Sequence, residues 1–360
     1  MADKKRTMVE RRTGVSRRKF IIGAGEAGMA ASWPLILTHG KAKAAERVVL
    51  ISWGGAYRES IEANYVKPFT AETGIPVVIS DTPDMAKVKA QVTTKNVEWD
   101  VFDGVGSMAM SGQKDGYWET LDKSIIDTSH LRTGVYPDTA AFYMAAGGIA
   151  WDPKRNPDGK HPVDFKSYWD LAKFPGRRSF RTRVSETLEA ALVADGVAPR
   201  SLYPLDVDRA FKALDRIKPS VAKWIEQTPQ TVTLLQQNEV DFTYTYASRV
   251  KAASAGGQSI EFSFDQTINL PEYVQVLKGA PNKTAAMKFV AFMLRPDRLA
   301  AFCEPLGLAP NSDKAAALQS AEAKKWQPNM SNPNNIIMDD AWWAANYAPL
   351  EKRFKEWLLA

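Results

Sequence analysis

Three short apolar runs alternate with helical stretches between Val48 and Phe102, and this order constrains the 360-residue chain more than any other feature. Val48-Val49-Leu50-Ile51-Ser52-Trp53 is a continuous run of the kind expected of a strand buried on both faces. Gly54-Gly55 breaks it. A helix follows, with Ile61, Tyr65 and Phe69 at intervals of four, and Gly74 stops it. Ile75 to Ile79 reads as a second strand, Met85 to Thr93 as a second helix, and Asp100-Val101-Phe102 as a short third strand. A β-α-β-α-β order implies parallel strands with helices on the faces of the sheet. Ligands of such sheets sit outside the carboxyl ends of the strands. That places attention on Trp53-Gly54-Gly55-Ala56-Tyr57 and on Asp103-Gly104-Val105-Gly106-Ser107.

A second unit of the same character follows a loop rich in Pro, Gly, Asn and Asp at Asp152 to Pro162. Phe165 to Leu171 and Val184 to Ala194 read as helices. Val207, Phe211, Leu214 and Ile217 form one apolar helical face ending at Pro219. Thr231 to Gln237 is a short helix, Val240 to Tyr246 alternates like a strand, and Tyr273 to Leu277 is another strand. Asn282 or Thr284 is expected to cap a helix over Ala285 to Leu294. Trp342, Trp343, Tyr347, Leu350, Phe354 and Trp357 mark a terminal helix that folds back on the body.

The N-terminus reads as an export signal. Ser16-Arg17-Arg18-Lys19-Phe20 precedes an apolar stretch ending near Leu37 and then Ala42-Lys43-Ala44, the order of a basic region, an apolar region and a small-x-small cleavage site. The paired arginines followed by an aromatic resemble the twin-arginine signal, so residues 1–44 are expected to be cleaved near Ala44 and the mature protein to be periplasmic. Ten of the 47 basic residues and three of the 41 acidic ones lie in that segment. The remaining 316 residues therefore carry 37 against 38, a formal charge of −1, and nucleic acid is not an expected partner.

Signatures of catalysis are absent from the sequence. After residue 44 there are two histidines, His130 and His161, without a metal-ligand spacing, and one cysteine, Cys303. Neither a Gly-x-Ser-x-Gly elbow nor a phosphate or dinucleotide loop occurs. No enzyme activity and no cofactor or metal are expected.

The chain from Arg47 onward resembles the periplasmic solute-binding proteins of ABC importers, and within them the spermidine/putrescine-binding group. The resemblance rests on Ile51-Ser52-Trp53-Gly54-Gly55-Ala56-Tyr57, Trp99-Asp100-Val101, Gly147-Gly148-Ile149-Ala150-Trp151-Asp152 and Tyr168-Trp169-Asp170-Leu171 with Phe174-Pro175-Gly176. Gln236 to Asp241, Gly279 to Lys283, Lys288-Phe289 and Leu306-Gly307 to Asn311 continue it in order. It implies an α/β, two-lobed periplasmic-binding-protein fold of the type II kind, each lobe a mixed sheet flanked by helices, with a hinge between. Lobe 1 is expected to comprise 45–148 plus 249–305, and lobe 2 149–248 plus 306–360. The partners implied are a small solute and the permease and ATPase subunits of an inner-membrane ABC transporter. A monomer is expected.

In the resembling group, aromatic rings box an aliphatic diamine and carboxylates take its ammonium ends, through cation–π attraction and charge-assisted hydrogen bonds. Trp53 and Tyr57 match the first aromatic pair, Ser107 a polar contact after the third strand, Glu186 a carboxylate, and Tyr246 the aromatic ending the second unit's strand. Two positions depart from that pattern. Arg183, in Arg181-Thr182-Arg183, and Arg249 stand where further carboxylates are expected. An arginine fork suits a carboxylate and repels an ammonium group. The span of the resemblance favours a polyamine such as putrescine or spermidine. The arginines favour a zwitterion such as 4-aminobutyrate. A ferric or thiamine carrier on the same fold and a periplasmic enzyme are the remaining alternatives, and the separation of Tyr244 from Tyr246 argues against the ferric one.

Replacing Arg17 and Arg18 together by lysine tests the export reading. The precursor is expected to accumulate in the cytoplasm, measured by fractionation and immunoblotting. Undiminished export of the double variant would exclude the twin-arginine route.

Overall fold

The computed structural model describes residues 46–81 and 83–360. The export signal expected over residues 1–44 lies outside the described residues. Eleven strands form one sheet: β1 (Val48–Ser52), β2 (Val77–Asp81), β3 (Val101–Val105), β4 (Thr139–Trp151), β5 (Arg178–Arg181), β6 (Val221–Ile225), β7 (Phe242–Tyr246), β8 (Glu261–Phe262), β9 (Ile268–Val276), β10 (Ala309–Pro310) and β11 (Ile336–Ile337). The main order is β2-β1-β3-β9-β4-β7-β5-β6. β2, β1 and β3 are parallel to one another, and so are β7, β5 and β6. Between these two parallel wings run the antiparallel β9 and β4. The expected mixed α/β architecture is present.

Two large apolar cores flank this arrangement. The first gathers Val48, Leu50, Ile61, Tyr65, Phe69, Val101, Phe142, Val274, Phe289 and Phe302. Phe165, Phe180, Leu188, Phe211, Phe242, Ile268, Trp343 and Phe354 belong to the second. β4 and β9 contribute to both: Phe142 and Val274 lie in the first core, Ile149 and Ile268 in the second.

Local structure follows the sequence closely where the periodicity is strong. The first helical stretch runs from Ala56 to Thr73 and ends at Gly74, whose φ of 73° closes the helix in the left-handed conformation. Within it, Glu62–Val66 form a π turn directly ahead of Pro68. A proline ring has no N–H to give to a regular i→i−4 ladder, and the wider turn relieves the mismatch. The expected cap at Asn282 is different. The helix Lys283–Met293 starts there without a side-chain cap, because the Asn282 amide donates to Asp100 Oδ2 (3.2 Å) instead. Asp100 also accepts from the backbone N–H of Val49 (2.9 Å) and of Asn282 (2.9 Å), tying β1 and β3 to that helix.

The sequence reading passed over the longest strand. Thr-Ala-Ala-Phe-Tyr-Met-Ala-Ala-Gly-Gly-Ile-Ala-Trp, β4, has no period of two and many small residues, so pattern alone does not mark it as a strand. Its small residues have a packing reason. A Cβ on Gly147 would stand 2.0 Å from Tyr244 Oη on the neighbouring β7, and one on Gly148 2.7 Å from the Phe262 ring.

The terminal helix Asp340–Leu359 is pinned to the second core by a buried carboxyl. Glu189, fully buried in the helix Val184–Ala194, accepts from Trp343 Nε1 (2.5 Å) and Tyr203 Oη (2.5 Å). Burial pushes this carboxyl up from 4.5 to about 7. The folded protein therefore holds the Glu189 proton more tightly than the unfolded chain does. Its contribution to stability is full below the unfolded value and is lost as pH rises from there through about 7. The rise from 4.5 to about 7 makes the full loss about 3–4 kcal/mol at ~1.4 kcal/mol per pH unit, of which about 2–3 kcal/mol falls between about pH 5 and about pH 8. In Glu189→Gln the titration is gone. Between about pH 5 and about pH 8, wild type should lose about 2–3 kcal/mol more stability than the variant, read by urea unfolding at the two values. Parallel pH profiles would contradict this assignment.

Candidate functional site

β1 and β3 deliver the first half of the site at their carboxyl ends, as the strand order requires. β1 ends at Ser52, and Trp53 follows on the loop before the helix that carries Tyr57. Gly55 permits this exit: its φ of 67° belongs to the left-handed region that other residues avoid. Both predicted aromatics are held by acids to which the sequence reading gave no binding role. Trp53 Nε1 donates to Glu272 Oε1 on β9 (2.7 Å). Tyr57 Oη donates to Asp103 Oδ2 on β3 (2.9 Å), which also receives Ser52 Oγ (2.7 Å). Tyr143 and Phe302 pack against the Tyr57 ring, with centroids 6.0 and 5.2 Å away. Ser107 lies half-buried in the first turn of the helix Gly106–Asp115, directly after β3.

β5 and β7 deliver the second half. Past β5 the chain enters the helix Val184–Ala194 through two non-helical residues, and Glu186 has φ 72°, ψ −40°. For a residue with a side chain this backbone is strained, at a cost of about 1–3 kcal/mol, and such strain gathers at ligand sites. It turns a fully buried carboxylate towards β7. There Tyr244 Oη (2.7 Å) and Tyr246 Oη (2.8 Å) both donate to Glu186 Oε2. Arg183 Nη1 donates to Oε1 at 3.2 Å. The alternation of β7 thus puts both tyrosines on one face, and Glu186 engages both hydroxyls. The Tyr246 oxygen, and behind it the Glu186 carboxylate, hold the Arg183 guanidinium charged against the opposing effect of burial. With 41% of its side chain exposed, Arg183 keeps donors free to face a solute.

Arg181 completes this side. It is buried, donates to Thr228 Oγ1 (2.6 Å) and to the Glu226 carbonyl (3.2 Å), and stands over the Tyr246 ring at 5.9 Å. Its Nε is buried without an acceptor among the described residues. Arg249, by contrast, is exposed on the helix Ala247–Ala255 and makes no hydrogen bond or ion pair with these groups.

The two halves share one electrostatic field. Burial raises the Glu272 carboxyl well above its ordinary value, Asp103 raises it further, and the charge of Arg183 opposes the rise. Burial likewise pushes Asp103 up to about 7. Of the seven residues expected from sequence, Trp53 and Tyr57 meet in one cluster and Arg183, Glu186 and Tyr246 in the other. Asp103, Glu272 and Arg181 are the additions. Their sequence signal is a charge inside an otherwise apolar strand, as in Val-Phe-Asp-Gly-Val of β3, because charged groups enter such strands only for a reason.

Two open cavities of about 520 and 610 Å³ lie beside other residues, the first at Arg132 and Lys324, the second at Tyr136, Tyr273 and Asp340. Neither is lined by Trp53, Tyr57, Glu186 or Tyr246. The buried charged cluster, and neither cavity, brings together the placed polar groups and aromatics that recognition of a small polar solute needs, and it is the candidate site. Among the described residues no group of three or more His, Cys, Asp or Glu side chains is arranged to hold a metal ion, and no helix is long and apolar enough to cross a membrane.

Comparison with known proteins places this geometry in a family. Residues 64–332 match the family model described as bacterial extracellular solute-binding protein. The chain is 32% identical over 324 residues to the gamma-aminobutyric acid-binding protein of Pseudomonas aeruginosa, covering 87% of this chain and 91% of that protein. It is 23% identical to the spermidine/putrescine-binding periplasmic protein of Escherichia coli, over 79% of this chain and 82% of the other. Among solved structures, the Atu4243–GABA receptor superposes with a TM-score of 0.80 at 32% identity, covering 87% of this chain and 97% of that one. The chain belongs to the bacterial extracellular solute-binding proteins, and it is the solute-binding component of an ABC transporter and not an enzyme.

Proposed function

We propose that this protein captures a zwitterionic amino acid of the 4-aminobutyrate type in the periplasm and hands it to its membrane permease and ATPase. The observation that carries this reading is the separation of charge across the site. Arg181 and Arg183 converge around Tyr246 on one side, while Asp103 and Glu272 hold Tyr57 and Trp53 on the other. A carboxylate meets a guanidinium fork at one end, and an ammonium group meets carboxylates and ring faces at the other. Buried Arg181 Nε has a donor to spare, and a solute carboxylate supplies its acceptor. A second ammonium group at that end would face two guanidinium groups. The relative named for gamma-aminobutyric acid, at 32% identity, supports the same reading, whereas the polyamine-named relative stands at 23%.

A polyamine is the second reading, and one observation favours it: Glu186 is a fully buried carboxylate among aromatics on the arginine side as well. Against it, Glu186 already receives three donors, from Tyr244, Tyr246 and Arg183. Little accepting capacity remains for an ammonium ion.

The capture mechanism that goes with this reading is closure of two lobes about β4 and β9. Core membership supports boundaries near 46–146 plus 272–318 for one lobe and 147–271 plus 336–360 for the other. These differ from the sequence boundaries by giving 249–271 to the second lobe, with Ile268, and 306–318 to the first, with Leu308 and Ala315. We take the mature chain to begin near Ala45 and to act as a monomer.

Calorimetry on residues 45–360 with 4-aminobutyrate and with putrescine separates the two readings. 4-Aminobutyrate should bind at least tenfold more tightly. Arg183→Ala should weaken it by about 1.5–3 kcal/mol, the scale of a hydrogen bond to a charged group. Tight putrescine binding that survives Arg183→Ala and Arg181→Ala would exclude the zwitterion. Trp53→Ala in a correctly folded protein should cost either solute about 1–3 kcal/mol. Unchanged affinity would return Trp53 to a packing role against Glu272.

A further inference from the structure

The carboxyl groups of Asp103 and Glu272 present an unmatched hydrogen bond. Asp103 is fully buried; its Oδ2 already accepts from Ser52 and Tyr57, and its Oδ1 has no donor among the described residues. On β9 the residue paired with Asp103 is Val274, so Glu272, two residues along that strand, shares its face of the sheet, and its carboxyl is the group beside Asp103. Glu272 is itself buried, 7% exposed, and its Oε1 is taken by Trp53 Nε1. Two ionised carboxylates have only acceptors to offer each other, so the contact is a hydrogen bond only if one of them carries a proton. Like charges at such range in a buried site do not both ionise near neutral pH.

We propose that Asp103 and Glu272 hold one proton between them in the empty protein, and that an arriving ammonium group displaces it. The inference rests on the reading of this pair as the receptor for the solute's amine end. In the empty site the O–H of Glu272 donates to Asp103 Oδ1, and the pair carries one negative charge. When an ammonium group enters, its positive charge takes over the role of the proton. The Glu272 O–H ionises, the proton leaves to solvent, and the pair binds as two carboxylates. No electrons move, and charge balances with one proton released for one ammonium group captured.

The surroundings suit this exchange. From β1 and the loop and helix after it, Ser52, Trp53 and Tyr57 donate to the pair, and Tyr143 faces it from β4. Tyr65 and the Cys303 thiol lie behind, both held neutral by burial. Asp340, on the terminal helix, raises Glu272 further, while Arg183 opposes the rise across the cleft. Burial is the largest influence on both carboxyls and favours the protonated form. Arg183, the cation that opposes the rise at Glu272, belongs to the opposite side of the site.

The sign of the effect is set by the direction of proton flow. Since capture releases a proton, affinity for a solute with an ammonium end rises with pH for as long as the empty pair remains protonated, by up to about tenfold per unit. Calorimetry at about pH 8 in two buffers of different ionisation enthalpy counts the protons. With 4-aminobutyrate or with putrescine, whichever binds, wild type should release roughly one proton per solute. Glu272→Gln, whose amide donates to Asp103 permanently, should release almost none and should lose the pH dependence. Infrared absorption of the unliganded protein needs no solute. The protonated-carboxyl C=O absorption at about pH 8 should fall by the Glu272 contribution in Glu272→Gln, leaving that of Glu189, and should shrink in Asp103→Asn, where the like charge that keeps Glu272 protonated is gone. Circular dichroism of both variants checks that they fold. A wild-type spectrum at about pH 8 matching that of both folded variants would overturn the shared proton. So would binding of either solute with no proton released. Preference for putrescine would overturn the zwitterion reading and leave the proton count standing, because putrescine also brings an ammonium group.

Discussion

Everything in this molecule is organised around the long antiparallel ladder between β4 and β9. These two strands run through both apolar cores, so a single pair of extended chains supports Phe142 and Val274 on one side and Ile149 and Ile268 on the other. The antiparallel pairing runs from Thr139 opposite Gln275 to Gly147 opposite Ile268 and is interrupted by one register shift between Ala141 and Tyr143. The parallel wings attach to its flanks, β3 to β9 and β7 to β4, which points their functional ends into a common space. Glu272 sits on the ladder itself, and the Gly147 backbone gives Tyr244 room to reach Glu186.

The site is costly for the fold. Asp103, Glu186, Glu189 and Glu272 are all buried, and each requires donors that the structure has to supply. Tyrosine and tryptophan supply most of them: Tyr57, Tyr203, Tyr244, Tyr246, Trp53 and Trp343 each give a hydrogen to a buried carboxyl. These side chains join a large apolar face to one donor, so a single residue closes the core and satisfies the acid at once. In the proposed reading the rings of Trp53, Tyr57 and Tyr246 would serve recognition as well as packing.

Charge is arranged with more economy than the number of acids suggests. On the β5–β7 side Glu186 is balanced by Arg183, with Arg181 alongside, and this half has positive charge to spare. On the β1–β3 side two acids stand without a basic partner of their own, and one shared proton brings them to a single negative charge. A neutral zwitterion completes such a field without leaving a buried charge uncompensated, whereas a dication adds charge next to the arginines.

The sequence by itself determined the alternation of buried strands and amphipathic helices, and with it the carboxyl-end loops at Trp53–Tyr57 and at Ser107, because strand burial and helix period are written in local pattern. It also determined the terminal aromatic helix, and a resemblance spanning the chain singled out Glu186 and Tyr246, with Arg183 as a departure from the pattern; that the three meet is seen only in the fold. β4 escaped because a strand rich in Ala and Gly has no period of two and takes its place only from the glycine-sized gaps its neighbours require. Tertiary structure alone decided which acids meet. Asp103 and Glu272 lie far apart in sequence and meet only because β3 and β9 are adjacent, and no local feature encodes that pairing. It also decided between two arginines that look alike in sequence: Arg183 turns in towards Glu186, and Arg249 lies on the exposed face of its helix. A charge shows in sequence, but whether it is buried, and against what, is fixed only when distant strands come together.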